Sequence, residues 1–366
     1  MSVGGGDEPG GTVGRRRFDR HLAEDQLGAL AERLRQRGVP DEVIAAEADL
    51  SGLAADVNIR GTERLSLREA AAEAGLSIPE ARRVWMTVGV SVGDVDAPAF
   101  APAEVQVLAF FAAGREVFGE TAVLQALRVI GNSFMKVAEA EVAVLRLSFE
   151  VPFLEAGGSD LDVMDGYERL SRMLLPEVEG VFTSLHRLHL ARASRRGWAV
   201  DESSGATLAE VAVGFADLAG FTSLAGRVSA TELAGIVDVF DEHVGDVVLT
   251  HGGQVVKLIG DEVMFVADRV ADGLTIARTL AAGVPGAPDL PAVRVGIASG
   301  EVLNRDGDYY GSVVNLAARL VALAEPGEVL LSSDTAALVA PTETEPLAPV
   351  EVKGFEHPVE AFRLLT

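Results

Sequence analysis

The spacing of apolar residues changes character near residue 200, and no single uniform architecture satisfies both halves of the chain. From Phe18 to about Arg192, helix formers dominate and few Gly or Pro interrupt the long stretches. His21 to Arg37 sets Leu22, Leu27, Leu30 and Leu34 at mostly helical spacing, and Gly38 and Pro40 then supply stop signals. The stretches Pro102 to Ala113, Glu120 to Ser148 and Val163 to Arg192 repeat the pattern. Residues 18–192 are therefore predicted to form an all-helical unit, preceded by a glycine-rich, acidic tail over 1–17. The period breaks between Leu190 and Gly205, where Arg195, Arg196 and Gly197 give way to Asp201, Glu202 and Ser203, which marks a linker over 193–206. Beyond it, short β-rich runs alternate with helical ones. Thr207 to Phe215 reads as a strand, Ala230 to Thr250 as a helix, and Gln254 to Ile259 with Glu262 to Ala267 as a hairpin. A helix near Val270, a strand over Ala292 to Ser299, a helix from Ser312 and strands near Glu328 and Val359 complete the order. That alternation predicts an α+β unit over 207–366, a ferredoxin-like βαββαβ sheet core with helices on one face of a mainly antiparallel sheet.

Composition narrows the chemistry. With 48% hydrophobic residues the chain can bury a sizeable core. It has no cysteine, which removes disulfides, thiolate catalysis and Cys-ligated zinc and leaves His and carboxylates as side-chain metal ligands. Hard cations such as Mg²⁺ or Mn²⁺ follow from that donor set. Lys+Arg of 31 against Asp+Glu of 55 gives a formal charge of −24, which repels a phosphate backbone, so nucleic acid is not an expected partner. The N-terminus has no apolar h-region, and the most apolar long window, Ala97 to Gly114, carries Pro98, Pro102, Glu104 and Gln106. A cytoplasmic protein without a membrane span is expected. Ser66 to Trp85 reads as helix, Gly75 turn, helix, similar to a helix-turn-helix, yet Arg60 to Arg83 holds five Arg and four Glu, a net of only +1. A helical packing or regulatory module is the better reading than DNA binding.

The chemistry-bearing residues lie in the second half. Asp217 ends an apolar strand beside the small-residue turn Gly220-Phe221-Thr222, which can present backbone N–H groups to phosphate. Asp261 sits at the tip of the hairpin Lys257-Leu258-Ile259-Gly260-Asp261-Glu262. Each Asp alone is equally an ordinary turn residue. Their combination with Lys257 on an apolar strand, with Asp308, and with Asn315 and Arg319 four residues apart on one helix face has no such ordinary account. An amide and a guanidinium on one face suit a sugar oxygen and a phosphoryl group.

The motifs F-x-D-L-x-G-F-T from Phe215, K-x-x-G-D from Lys257 and D-Y-x-G-x-x-x-N-x-x-x-R from Asp308 resemble those of the class III nucleotide cyclase catalytic domain. The resemblance implies that Asp217 and Asp261 hold two divalent metals, Mg²⁺ or Mn²⁺, that Lys257 and Asp308 read the adenine edge, that Asn315 orients the ribose and that Arg319 stabilises the transition state. It further implies that Lys353, in Val352-Lys353-Gly354-Phe355, contacts the outer phosphates of ATP. The implied activity is an adenylate cyclase that forms 3′,5′-cyclic AMP and pyrophosphate. A guanylate cyclase is disfavoured by the Lys257 and Asp308 pair, and a silent nucleotide-binding or helix-turn-helix scaffold by the intact motif set. In the family the site lies between two catalytic domains. The expected division puts Asp217, Asp261 and Lys257 on one copy and Asp308, Asn315 and Arg319 on the other, in a head-to-tail homodimer. The helical half resembles, less specifically, the regulatory domains of soluble actinobacterial cyclases. His186 and His189, on one helix just before the linker, are its best-placed titrating groups.

Overall fold

A computed structural model of the chain describes residues 24–195, 199–201, 206–287, 290–351 and 358–365. The tail over 1–17 and Lys353 lie outside the described residues. The chain divides into two compact units, Met1–Ala193 and Ser194–Thr366.

The first unit is helical apart from one small ribbon. Its elements are α1 (Glu24–Gln36), α2 (Asp41–Ala46), α3 (Leu50–Arg60), β1 (Leu65–Ser66), α4 (Leu67–Glu73), α5 (Ile78–Thr87), β2 (Pro98–Phe100), α6 (Val105–Phe118), α7 (Glu120–Leu145), α8 (Val151–Glu155) and α9 (Asp160–Ala193). Leu30, Leu34, Ile44, Ala54 and Val57 bury the faces of α1 to α3 against Met164 of α9. A second core joins α4 to α7 through Leu67, Ala81, Trp85, Leu108, Phe111 and Leu124. In the helix-turn-helix segment, Ser66 with Glu69 and Ser77 with Glu80 form capping boxes that fix where α4 and α5 begin. Hydrogen bonds from Ser77, then the Arg115 guanidinium, hold the Glu80 carboxyl down at about 2. The arginines that gave this segment its basic look are all engaged internally. Arg60 and Arg64 pair with Asp56, Arg68 with Asp96 and Arg83 with Glu120, while Arg82 donates to the Val92 and Gly93 carbonyls. This favours the packing reading of the segment. Among the described residues no helix is long and apolar enough to cross a membrane.

The second unit is a mixed sheet. The strands are β3 (Ala199–Asp201), β4 (Ala206–Leu218), β5 (Gln254–Ile259), β6 (Glu262–Ala267), β7 (Val293–Arg305), β8 (Asp308–Tyr310), β9 (Val329–Ser332), β10 (Thr344–Pro346) and β11 (Ala361–Leu364). The helices are α10 (Phe221–Ala225), α11 (Ala230–Thr250), α12 (Val270–Ala281), α13 (Ser312–Leu323) and α14 (Ser333–Ala336). The main path runs β10-β11-β9-β7-β4-β6-β5, with β3 paired to β4 and β8 to β7. The segment β4-α11-β5-β6-α12-β7 gives the order β7-β4-β6-β5, the ferredoxin-like arrangement. All pairings are antiparallel except β7 with β9. The stretch expected to be a linker contains β3, which pairs with the start of β4.

The two helices of the βαββαβ core share one face of the sheet, as expected. The later helix α13, outside that core, adds a second layer on the opposite face. Phe240, Val244 and Val248 of α11 and Ile276 and Leu280 of α12 pack on the face carrying Ala212, Ala216 and Leu218. Ala317 and Val321 of α13 pack on the opposite face, against Val211, Val213 and Phe215. The physical reason is that β4 is apolar in both registers, Val211 through Ala216, so both of its faces must be covered. Gly296 makes the second layer possible, because a Cβ there would stand 2.2 Å from the Val321 nitrogen and 2.5 Å from the Ala317 carbonyl oxygen.

Candidate active site

Along β4 the side chains of Val211, Val213, Phe215 and Asp217 alternate onto the α13 face, so the carboxylate emerges where that apolar stripe ends. Asp217 is opposite Glu262 on β6 and opposite Arg294 on β7. The turn into β6 brings Asp261 beside it, since the Leu218 N–H donates to the Asp261 carbonyl across 3.3 Å. Gly260, with φ of +69°, supplies the left-handed residue that this two-residue turn requires. Gly220 precedes α10 with φ of +78°. Asp217, Gly220, Phe221, Thr222, Asp261, Glu262 and Arg294, with Ala318 and Ala322 of α13, line a cleft of about 380 Å³.

Asp217 is only 8% exposed. Burial pushes its carboxyl above the usual carboxylate range, the Arg294 guanidinium pulls it down, and Asp261 pushes it up again. Glu262 is likewise raised, first by burial and then by Asp217 and Asp261. Crowded, partly desolvated carboxylates of this kind favour a bound cation, and an all-oxygen donor pair suits a hard divalent one. Among the described residues no group of three acidic or imidazole side chains is arranged to hold a metal ion, so the candidate donors here are the two carboxylates Asp217 and Asp261.

Lys257 and Asp308 meet elsewhere on the same chain. Lys257 Nζ donates to Asp308 Oδ2 at 2.6 Å, and the Tyr309 N–H donates to Oδ1 at 2.8 Å, which fixes the carboxylate's orientation. The expected division, with Lys257 on one copy and Asp308 on the other, is therefore corrected: the two form one pair within a chain. The division rests on the resemblance alone, whereas the antiparallel β7–β8 turn brings Asp308 within reach of Lys257 on β5 of the same chain. Asn315 and Arg319 are exposed one turn apart on α13, away from the Ala317 and Val321 that face the sheet. None of Lys257, Asp308, Asn315 and Arg319 lines the Asp217 cleft among the described residues. The structure thus forms two partial constellations. Lys353 cannot be placed in either, being outside the described residues. His186 and His189 are exposed on α9 in the first unit.

Arg294 was missed by sequence reasoning. The available signal was a guanidinium inside the apolar run Ala292 to Ser299, since a charge on a strand covered on both faces needs a partner. Its Nε donates to Asp217 Oδ2 at 2.6 Å, and its Nη2 forms an ion pair with the same oxygen at 2.5 Å.

A ferredoxin-like unit with a carboxylate pair at one strand end and a Lys–Asp pair at another has the parts of a nucleotide cyclase. Sequence comparison agrees. The adenylate cyclase regulatory domain family matches residues 20–193, and the adenylate and guanylate cyclase catalytic domain family matches residues 289–366. An adenylate cyclase of Streptomyces coelicolor is 31% identical over 94% of this chain and 92% of its own length. An uncharacterized protein of Mycobacterium tuberculosis is 35% identical over 88% and 86% respectively. A pH-sensitive adenylate cyclase of the same species is 29% identical over 85% and 79%. Among solved structures, the adenylyl cyclase CyaB from P. aeruginosa is 26% identical over 43% of this chain and 95% of that one, with a TM-score of 0.37. The chain belongs to the adenylate cyclase family of enzymes.

Proposed function

We propose that the protein converts ATP to 3′,5′-cyclic AMP and pyrophosphate at a site completed by a second copy of the chain. The observation that carries this reading is the separation of the Asp217–Asp261 cleft from the exposed Asn315 and Arg319, with every part of the set intact. Each copy has one of each half, so a head-to-tail pair builds two equivalent sites. In the reaction the ribose O3′ bonds to the α-phosphorus, the bond from that phosphorus to the bridging oxygen breaks, and the 3′-hydroxyl gives up its proton. Lys257 donates to adenine N1 while Asp308 accepts from the N6 amine. Guanine inverts both polarities and leaves the pair unsatisfied, at about 1–3 kcal/mol per buried group. The Asn315 amide orients the ribose, and Arg319, four residues on, meets the charge that develops on the α-phosphoryl oxygens. The turn at Gly220 to Thr222 offers N–H groups to the phosphates, and Lys353 is proposed as a further phosphate contact. Asp217 and Asp261 would hold Mg²⁺ or Mn²⁺, two per site. Such ions, when bound, acidify the attacking hydroxyl and neutralise the leaving group's charge.

We also infer that residues 18–192 are regulatory and residues 207–366 catalytic. The match of residues 20–193 to the regulatory family supports the first part, and the name of the pH-sensitive relative supports a response to protons, for which we propose His186 and His189 as the groups to test. The function is tested by assaying purified full-length protein with Mn-ATP and Mn-GTP. Cyclic AMP formation well above cyclic GMP formation is expected. No cyclic nucleotide from either substrate would leave the silent-scaffold reading, and a preference for GTP would overturn the base assignment.

A further inference from the structure

Glu262, Asp217 and Arg294 form a row across β6, β4 and β7 on the α13 face. Arg294 is not placed symmetrically on its partner: both Nε and Nη2 reach a single oxygen, Oδ2 of Asp217, at 2.6 and 2.5 Å. The Nε hydrogen bond and the Nη2 ion pair both engage the electron pairs of that one oxygen. The Asp217 side chain is 12% exposed and that of Arg294 29%, so the pair is largely withdrawn from water at the edge of the cleft. Its third nitrogen, Nη1, lies 3.5 Å from the Ala322 carbonyl on α13, which ties the same group to the helix that carries Asn315 and Arg319.

We propose that Arg294 is an internal counter-ion for Asp217, which a divalent cation must displace from Oδ2 before it can use that oxygen. The inference rests on the cation reading of Asp217 and Asp261 given above. Guanidinium and cation compete for the same electron pairs, and they repel each other if both stay within a few ångström in this partly desolvated cleft. Arg294 therefore weakens cation binding to the protein alone. By linkage, any anion that draws the guanidinium off Asp217 strengthens cation binding by the same factor. Arg294 acts here as a positioning residue, setting whether Asp217 is available.

The test is the affinity of full-length protein for Mn²⁺ without nucleotide, read from the electron paramagnetic resonance signal of free Mn²⁺, in wild type, Asp217→Asn, Arg294→Met and Arg294→Lys. Asp217→Asn is expected to lose the site. Arg294→Met is expected to bind Mn²⁺ at least about fivefold more tightly than wild type. Arg294→Lys, which keeps a charge but not the fork, should fall between them. A purely structural role for Arg294 would weaken binding instead, so equal or weaker affinity in Arg294→Met, with Asp217→Asn still defective, overturns the proposal and leaves the cation site standing. Wild-type affinity in Asp217→Asn overturns the cation reading and this inference together. If Arg294→Met does not fold, the Lys variant decides: tighter binding supports displacement and unchanged binding refutes it.

Discussion

Asp217, Asp261 and Glu262 crowd one end of the sheet. Asp261→Ala removes one proposed cation donor from a half-buried hairpin turn and is expected to lower cyclic AMP formation at least about 100-fold, with little change in the thermal transition. Wild-type turnover would contradict the donor assignment. Asp308→Ala leaves Lys257 without its partner and should reduce kcat/KM for ATP on the order of 10- to 100-fold, with little change for GTP. Glu262 is a separate case because burial, then Asp217 and Asp261, raise its pKa. A carboxyl whose folded pKa is raised is most favourable to the fold below its unfolded pKa, and that contribution is lost as pH rises through the folded value. Glu262→Gln is therefore expected to raise the thermal midpoint by roughly 1–3 °C at pH 7.5, with the gain vanishing near pH 4. A destabilised variant at neutral pH would contradict this.

At the scale of elements, the catalytic unit depends on how closely α13 lies on β7. Gly296→Ala would place a methyl against the Val321 nitrogen and the Ala317 carbonyl, neither of which can rotate away. A loss of roughly 1–3 kcal/mol in stability is expected, together with reduced turnover, because α13 carries Asn315 and Arg319. Thermal unfolding and cyclic AMP assays read both. Much of this architecture was legible in the sequence. The β5–β6 hairpin and α11 have the bounds their patterns imply, because hairpin and helix signals are local. The second helical layer was less legible. The continuous apolar run Val211 to Ala216 shows that β4 is buried on both faces, but only the crossover from β7 to parallel β9 shows that α13 covers one of them. The contact of Lys257 with Asp308 inside one chain and the whole Arg294–Asp217 pair are not legible, for a related reason. Both join residues far apart in sequence through tertiary folding, Arg294 and Asp217 as register partners on β7 and β4, which local spacing does not encode. The individual motif residues, by contrast, were readable because each motif occupies one turn or one helix face.

At the scale of the whole molecule, regulation and assembly are the proposed properties. If His186 and His189 respond to protons, the full-length His186→Ala/His189→Ala variant should show a flatter activity profile between about pH 5.5 and 8 than wild type. An identical profile would reject these two residues. The shared site is tested more directly by mixing Asp217→Ala and Arg319→Ala proteins, each expected to be inactive alone. In a mixed pair one site combines both lesions and the other is entirely wild type. Random pairing makes half the dimers mixed, with one intact site of two, so about one quarter of wild-type cyclic AMP formation should return. No recovery in a sample proven to contain mixed dimers would contradict a site shared between two copies.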